Sequence, residues 1–311
     1  MKPAGSIVFF TVASGAGYGL LFWLGLLGAG GMISGDGILV LTVLGLALVL
    51  VTAGLCASLL HLGNAHKAWR ALSQWRSSWL SREGVAAVLT YFPAIGSGLC
   101  VLQGAYGWAV LLALVAAAGA LATVYCTSMI YASLKPIKEW AHPLVPAGYV
   151  VLSLFSGAAL LATLMALAGE DASVPALQAL IFGALGAGLK WQYWRSIDTA
   201  RPLATLETAT GLGRIGTTRP LDPPHTQSNY IMREMGFRVA RKHAHSLRRI
   251  ALVGGLALPA LLAACSLLVA GPVAALLLLL ATALGLAGLL VERWLMFAEA
   301  THTAMIFYRG T

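Results

Sequence analysis

Charge is what this sequence has least of. Of its 311 residues, 10% are Asp, Glu, Lys or Arg, while 59% are hydrophobic and the mean hydropathy is +0.83. A soluble domain carries about 25% charged residues, so a water-soluble globule is excluded. Cysteine is sparse as well. Cys56, Cys100, Cys126 and Cys265 stand singly in apolar runs, with no CxxC pair. That argues against an iron–sulfur cluster or structural zinc in this chain and leaves the thiols as small packing groups. Haem b in a bundle needs histidines facing inward from two helices. His61, His66, His142, His225, His243, His245 and His302 all fall in polar segments or at the ends of apolar runs, so no haem is expected. Sustained alternation of apolar and polar residues is also missing, which excludes a barrel.

What is present is eight long apolar runs, at about 6–31, 38–62, 84–104, 107–132, 144–169, 174–195, 250–270 and 273–295. Each is close to or above the roughly 20 residues that cross a hydrocarbon core. They are rich in Leu, Ala, Val and Gly. The fold class expected is therefore all-α: a polytopic integral membrane protein of eight transmembrane helices in a single membrane domain, 1–311. The first run is too long and too glycine-rich for a removable signal peptide, and a retained helix is expected there.

The basic residues set the orientation. Lys2 precedes the first run; Lys67, Arg70, Arg76 and Arg82 lie between the second and third; Lys135 and Lys138 lie between the fourth and fifth. Eleven more, from Lys190 to Arg249, belong to the segment between the sixth and seventh, and Arg293 and Arg309 lie at the C-terminal end. The loops on the other side hold only Asp36, Glu170 and Asp171. The positive-inside rule then places both termini and the even-numbered loops in the cytoplasm. No Asp, Glu, Lys or Arg is expected at mid-span, and paired broken helices are not evident. Both absences weigh against a secondary transporter, the alternative from a different functional class. The basic excess follows the loops, so no nucleic-acid partner is expected.

Three polar stretches are candidates for function. GLGRIG, Gly211 to Gly216, satisfies GxGxxG, but a dinucleotide site needs a strand before it and a helix after it. Here it falls in a loop rich in turn-formers. The segment at about 196–249 is too long for a mere connection; it is either a solvated basic loop or a docking surface for a soluble partner. The third stretch, HLGNAHKAWRALSQWRSSWLSRE, runs from His61 to Glu83 and is polar, basic and rich in tryptophan. One reading is an interfacial belt. The other is a short amphipathic helix over about Ala65 to Ser78, with Trp69, Leu72, Trp75 and Trp79 on one side, that folds back and brings His61 close to Glu83. An imidazole that titrates near neutrality beside a carboxylate, walled by aromatic and aliphatic groups, suits a quinone head group, whose reduction takes up two protons with two electrons.

His61-Leu62-Gly63, Lys67-Ala68-Trp69 and Leu80-Ser81-Arg82-Glu83 resemble the membrane-anchor subunit of bacterial dimethyl sulfoxide reductase. So do YCTSMIYASLKPIKEW (Tyr125 to Trp140), PHTQSNYIMREMGFRVARKHA (Pro224 to Ala244) and ERWLMFAEATH (Glu292 to His302). The last three are most similar to the branch that anchors sulfite-oxidising molybdoenzymes. The resemblance implies an eight-helix, haem-free, quinone-reactive subunit that uses menaquinone or ubiquinone. It would sit in lipid in the bacterial cytoplasmic membrane and hold two partners: a four-cluster ferredoxin-like iron–sulfur subunit and a catalytic subunit with molybdenum bis(pyranopterin guanine dinucleotide). By resemblance His61 and Glu83 serve the quinone, with Lys67, Trp69, Arg82 and Tyr131 as neighbours. Tyr131 is included because YCTSMIY closes the fourth run at the same depth. Lys67 stands where the family often has Arg, and Lys cannot make the bidentate contacts Arg can.

In the dimethyl sulfoxide reductases themselves the soluble subunits dock on the periplasmic face. Here the His61–Glu83 junction lies on the basic, cytoplasmic side, which matches the sulfite-oxidising branch. The function expected is electron transfer between an iron–sulfur subunit and the quinone pool in a sulfite:quinone oxidoreductase. The chain would be a non-catalytic subunit without a molybdenum site of its own. A quinol-oxidising anchor of the dimethyl sulfoxide reductase type is the alternative within the family.

Overall fold

The computed structural model describes residues 3–32, 37–60, 64–222 and 239–308. His61, Leu62 and Gly63 therefore lie outside the described residues, as does most of the Pro224–Ala244 stretch. The described chain is helical. Its one β contact is an isolated antiparallel bridge between Ile137 and His302. The long helices are α1 (Gly5–Ala29), α2 (Gly37–Leu59), α3 (Trp79–Leu102), α4 (Tyr106–Ala132), α5 (Leu144–Leu167) and α6 (Ser173–Thr199). A short α7 (Leu206–Thr210) follows. Next come α8 (Val239–Arg249), a π-helical stretch Ile250–Ala257 and α9 (Leu258–Ser266), then α10 (Pro272–Ala298). Among the described residues eight helices are long and apolar enough to cross a membrane, the seventh being the composite His243–Ser266.

Two of the eight begin earlier than the apolar runs suggest. α3 starts at Trp79, where the Ser78 side chain accepts the Ser81 N–H as an N-cap, and the seventh span starts at His243. Hydropathy registers only the part of a helix that meets lipid, whereas hydrogen bonding carries the helix on into polar residues. Glu83 is therefore not a loop residue at the mouth of a helix. It sits on the second turn of α3.

α1 and α5 form the centre. In their apolar windows 78% and 67% of residues are buried, against 33–39% in the other six spans. Lipid offers no hydrophobic drive for helices to associate, so close backbone packing does that work. A Cβ on Gly19 would come within 1.9 Å of the Ser153 carbonyl oxygen, and one on Gly157 within 2.1 Å of the Gly19 backbone. Trp23 Nε1 donates to the Leu154 carbonyl at 2.8 Å across the same seam. α3 and α4 pair as an antiparallel hairpin on one flank, with Ser97 Oγ donating to Ala109 O at 2.8 Å. On the other flank α6 and the seventh span pack with α10, where Gly255 meets Gly288. The π stretch has a local cause. Pro259 cannot donate to the Gly255 carbonyl and its ring would strike it. The turn widens instead, with Leu258 N–H reaching back to Val253 O.

Candidate functional site

Glu83 is 4% exposed, although it lies only two turns into its helix. Its neighbour across the hairpin is Thr127 on α4, whose hydroxyl donates to the carboxylate and is itself placed by the Thr123 carbonyl at 3.0 Å. Thr127 also lines a cavity of about 20 Å³ with Tyr18, Tyr149 and Arg293, room for about one water. The adjacent Arg82 turns away from Glu83. Its guanidinium lies 4.2 Å above the Trp79 ring and bonds the Trp75 and Arg76 carbonyls at 2.9 and 2.8 Å. Arg82 thus braces the chain that leads into α3, and among the described residues no cation pairs with Glu83.

That incoming chain is helical over part of the stretch expected, Ala65 to Ser78, but the helix is shorter and of another kind. Ala65–Gln74 is a 3-10 helix. Three residues per turn stack Trp69, Leu72 and Trp75 in a single line, all of them exposed. Leu72 packs on α3 at Gly84, where a Cβ would lie 2.8 Å from Leu72 Cδ2. A larger residue at Gly84 would force the Leu72 side chain to move. Lys67 is exposed on the same segment, and Trp69 is 68% exposed. Tyr131 is buried one turn beyond Thr127 on α4, in an aromatic cluster with Trp140, Phe297 and Tyr149 at ring separations of 5.3, 5.2 and 6.0 Å. The structure thus sets Arg82 and Glu83 side by side on α3, with Lys67 and Trp69 on the segment against it. Tyr131 lies in the packed interior, and His61 is outside the described residues.

A family model of the DMSO reductase anchor subunit (DmsC) matches residues 2–308. The chain belongs to this anchor-subunit family. It is also 30% identical to a sulfite dehydrogenase subunit of Allochromatium vinosum, over 340 positions covering 100% of this chain and 99% of that protein. An anchor of this family implies partner catalytic and electron-transfer subunits of a molybdoenzyme complex, and the eight spans make it a multi-pass membrane protein.

The anchor holds a second polar centre that sequence reasoning missed. Lys190 on α6 pairs with Glu292 on α10, and Arg293 Nη1 lies 3.3 Å from the other Glu292 oxygen. All three are buried, Glu292 at 1% exposure. The Arg293 guanidinium stacks 3.7 Å above the Tyr149 ring, and Lys190 Nζ lies 4.4 Å from that of Tyr193. The Tyr193 hydroxyl in turn donates to the Glu139 carbonyl at 2.9 Å. Above the cluster, His142 shares a hydrogen bond with Ser196 Oγ at 2.9 Å. Burial first, and then the Lys190 charge, holds its imidazole below the usual range.

Reading Lys190 and Arg293 as water-facing is therefore corrected. α6 continues to Thr199 and α10 to Ala298, which sets Lys190 about two and a half turns and Arg293 about one and a half turns inside its helix. The signal was available, because an ionisable residue within an apolar run is by default a functional or paired group.

Proposed function

We propose that this chain is the quinone-reactive membrane anchor of a sulfite:quinone oxidoreductase, carrying electrons between an iron–sulfur partner and the membrane quinone pool. The observation that carries the reading is Glu83, a buried carboxylate at the membrane edge that takes its hydrogen bond from the Thr127 hydroxyl while the neighbouring arginine faces elsewhere. Its donor set fits a quinone head group, whose apolar ring and two carbonyls call for buried proton-exchanging groups beside apolar walls. A bound quinone supplies two-electron, two-proton chemistry. Glu83 holds and releases the proton, and Thr127 fixes the carboxylate by donating to it. Leu72 packs the covering segment against α3 at Gly84. His61, two residues beyond the end of α2, is assigned the contact to a quinone carbonyl through the family resemblance.

The basic ends of the helices are assigned to the cytoplasm by the positive-inside rule, and the soluble partners to the same face. The segment after α6 offers them a firm base, because Lys138 Nζ donates to the Ala200 and Arg201 carbonyls at 2.5 and 2.8 Å. The name of the Allochromatium vinosum relative, a sulfite dehydrogenase, supports sulfite as the substrate of the catalytic partner.

The test is His61→Ala in the assembled complex. Sulfite-to-quinone transfer should fall at least about 100-fold, the lower range for loss of a general acid–base group. Reduction of a soluble dye at the catalytic partner should persist, which shows that the complex is still assembled. Persistence of both activities would overturn the quinone role.

A further inference from the structure

Between the last turns of α6 and the start of the seventh span lies a groove of about 340 Å³. It is lined by Arg195, Arg248, Arg249 and His245 with the carboxylate Asp198, and by the apolar Trp191, Trp194 and Leu252. Arg248 is fully engaged. Nη1 and Nη2 grip Asp198 at 2.7 and 3.1 Å, and Nε bonds Glu299 at 2.8 Å. Both nearby carboxylates are therefore occupied. Arg195 and Arg249, by contrast, are exposed and enter no ion pair among the described residues. Arg195 and Arg249 thus bring two positive charges to a groove whose two walls, α6 and the seventh span, are tied together by the Arg248 clamp.

The apolar surroundings decide what kind of anion fits. Trp191 is 56% exposed, with the Arg195 guanidinium 5.5 Å above its ring. Immediately after Arg249, Ile250 and Val253 are also exposed. These lie where the helices leave the hydrocarbon, the level at which tryptophan collects in membrane proteins. An acidic protein surface or a free anion would match the arginines but leave this apolar strip uncovered. An amphiphile with an anionic head and acyl chains matches both parts. We propose that this groove binds the phosphate headgroup of an anionic phospholipid, with Arg195 and Arg249 as its charge partners and its chains lying along Trp191, Ile250 and Val253. The assignment does not depend on the quinone reading.

The experiment uses the whole complex in detergent, as wild type and as the Arg195→Gln/Arg249→Gln variant. Native mass spectrometry counts retained phospholipids, and thermal unfolding is followed as phosphatidylglycerol, phosphatidylcholine or inorganic phosphate is added. Two arginines at about 1 kcal/mol each near a membrane surface correspond to about thirtyfold in affinity. The wild type should keep phosphatidylglycerol and be stabilised by it, and the variant should lose both properties. Equal retention and stabilisation in the variant overturns the site. So does a shift reproduced by inorganic phosphate, which would mark a simple anion site, or by phosphatidylcholine, which would mark general lipid solvation. Shedding of the soluble partners with lipid content unchanged would assign the groove to docking instead. If the double variant does not purify intact, Arg195→Gln and Arg249→Gln singly carry the same test, each expected to weaken binding about fivefold.

Discussion

Two buried glutamates, each next in sequence to an arginine, meet opposite fates in this bundle. In the Arg82–Glu83 pair the arginine turns outward to backbone carbonyls, and the carboxylate faces a threonine hydroxyl. In the Glu292–Arg293 pair the arginine stays inside, and Lys190 joins it from α6. A carboxylate held between two cations is fixed in its ionised form and costs heavily to disturb, because removing one partner strands the other charges in a medium that cannot solvate them. A carboxylate with only a hydroxyl beside it has no such lock, and gaining or losing a proton there is far less costly. The same residue type is thus a structural tie in the α6–α10 layer and, in the function proposed for this chain, a proton-exchanging group in the α3–α4 hairpin.

Making the same substitution at both sites is the sharpest way to break this comparison. Glu83→Gln should lower quinone-linked turnover about 100-fold or more while leaving unfolding stability near wild type. A quinone-linked rate within twofold of wild type would refute the functional half. Glu292→Gln should do the reverse. With the anion gone between two buried cations, the cost is about 3–5 kcal/mol, read as a lower thermal midpoint or loss of membrane-integrated protein. Unchanged stability would show that the cluster tolerates uncompensated charge. Thr127→Val keeps the shape and removes the donor to Glu83. It should cost about tenfold in quinone-linked turnover, the value of one buried hydrogen bond, and an unaltered rate would mean that Glu83 takes its partner elsewhere.

The smallest effect concerns pH. The imidazole of His142 titrates below its unfolded value of about 6.5. The unfolded chain therefore binds more protons there, and His142 contributes a loss of stability as the pH falls through that value toward the folded one. His142→Asn should flatten the decline in thermal midpoint between about pH 7 and 5. An unchanged slope would assign that decline to other groups.

How much of this was legible in the sequence depended on whether the cause was local. The eight spans show as apolar runs because each helix must face lipid. Glu83 shows because it stands between a basic junction and an apolar run. The early starts at Trp79 and His243 did not show, since capping and hydrogen bonding extend a helix past its apolar part. The 3-10 form of Ala65–Gln74 was equally hidden, because the three-residue spacing of Trp69, Leu72 and Trp75 suits either an α or a 3-10 helix. The Lys190–Glu292 pair joins two spans far apart in the chain, and no local window of hydropathy can reveal that the charges meet.

The seam between α1 and α5 also bears on how the protein is made. Trp23 and the carbonyl it bonds are separated by 131 residues, so the ribosome must deliver four helices before α5 can close on the side of α1 that α2 and α4 leave open. Until then Gly19 presents a bare backbone groove that only Gly157 and Ser153 fill. The α3–α4 hairpin can close as soon as it emerges, whereas the central pair must wait in the bilayer. Biogenesis is therefore exposed to error while the α5 side of α1 stays open, and a chain cut before α5 would hold α1 against α2 and α4 with its Gly19 face bare.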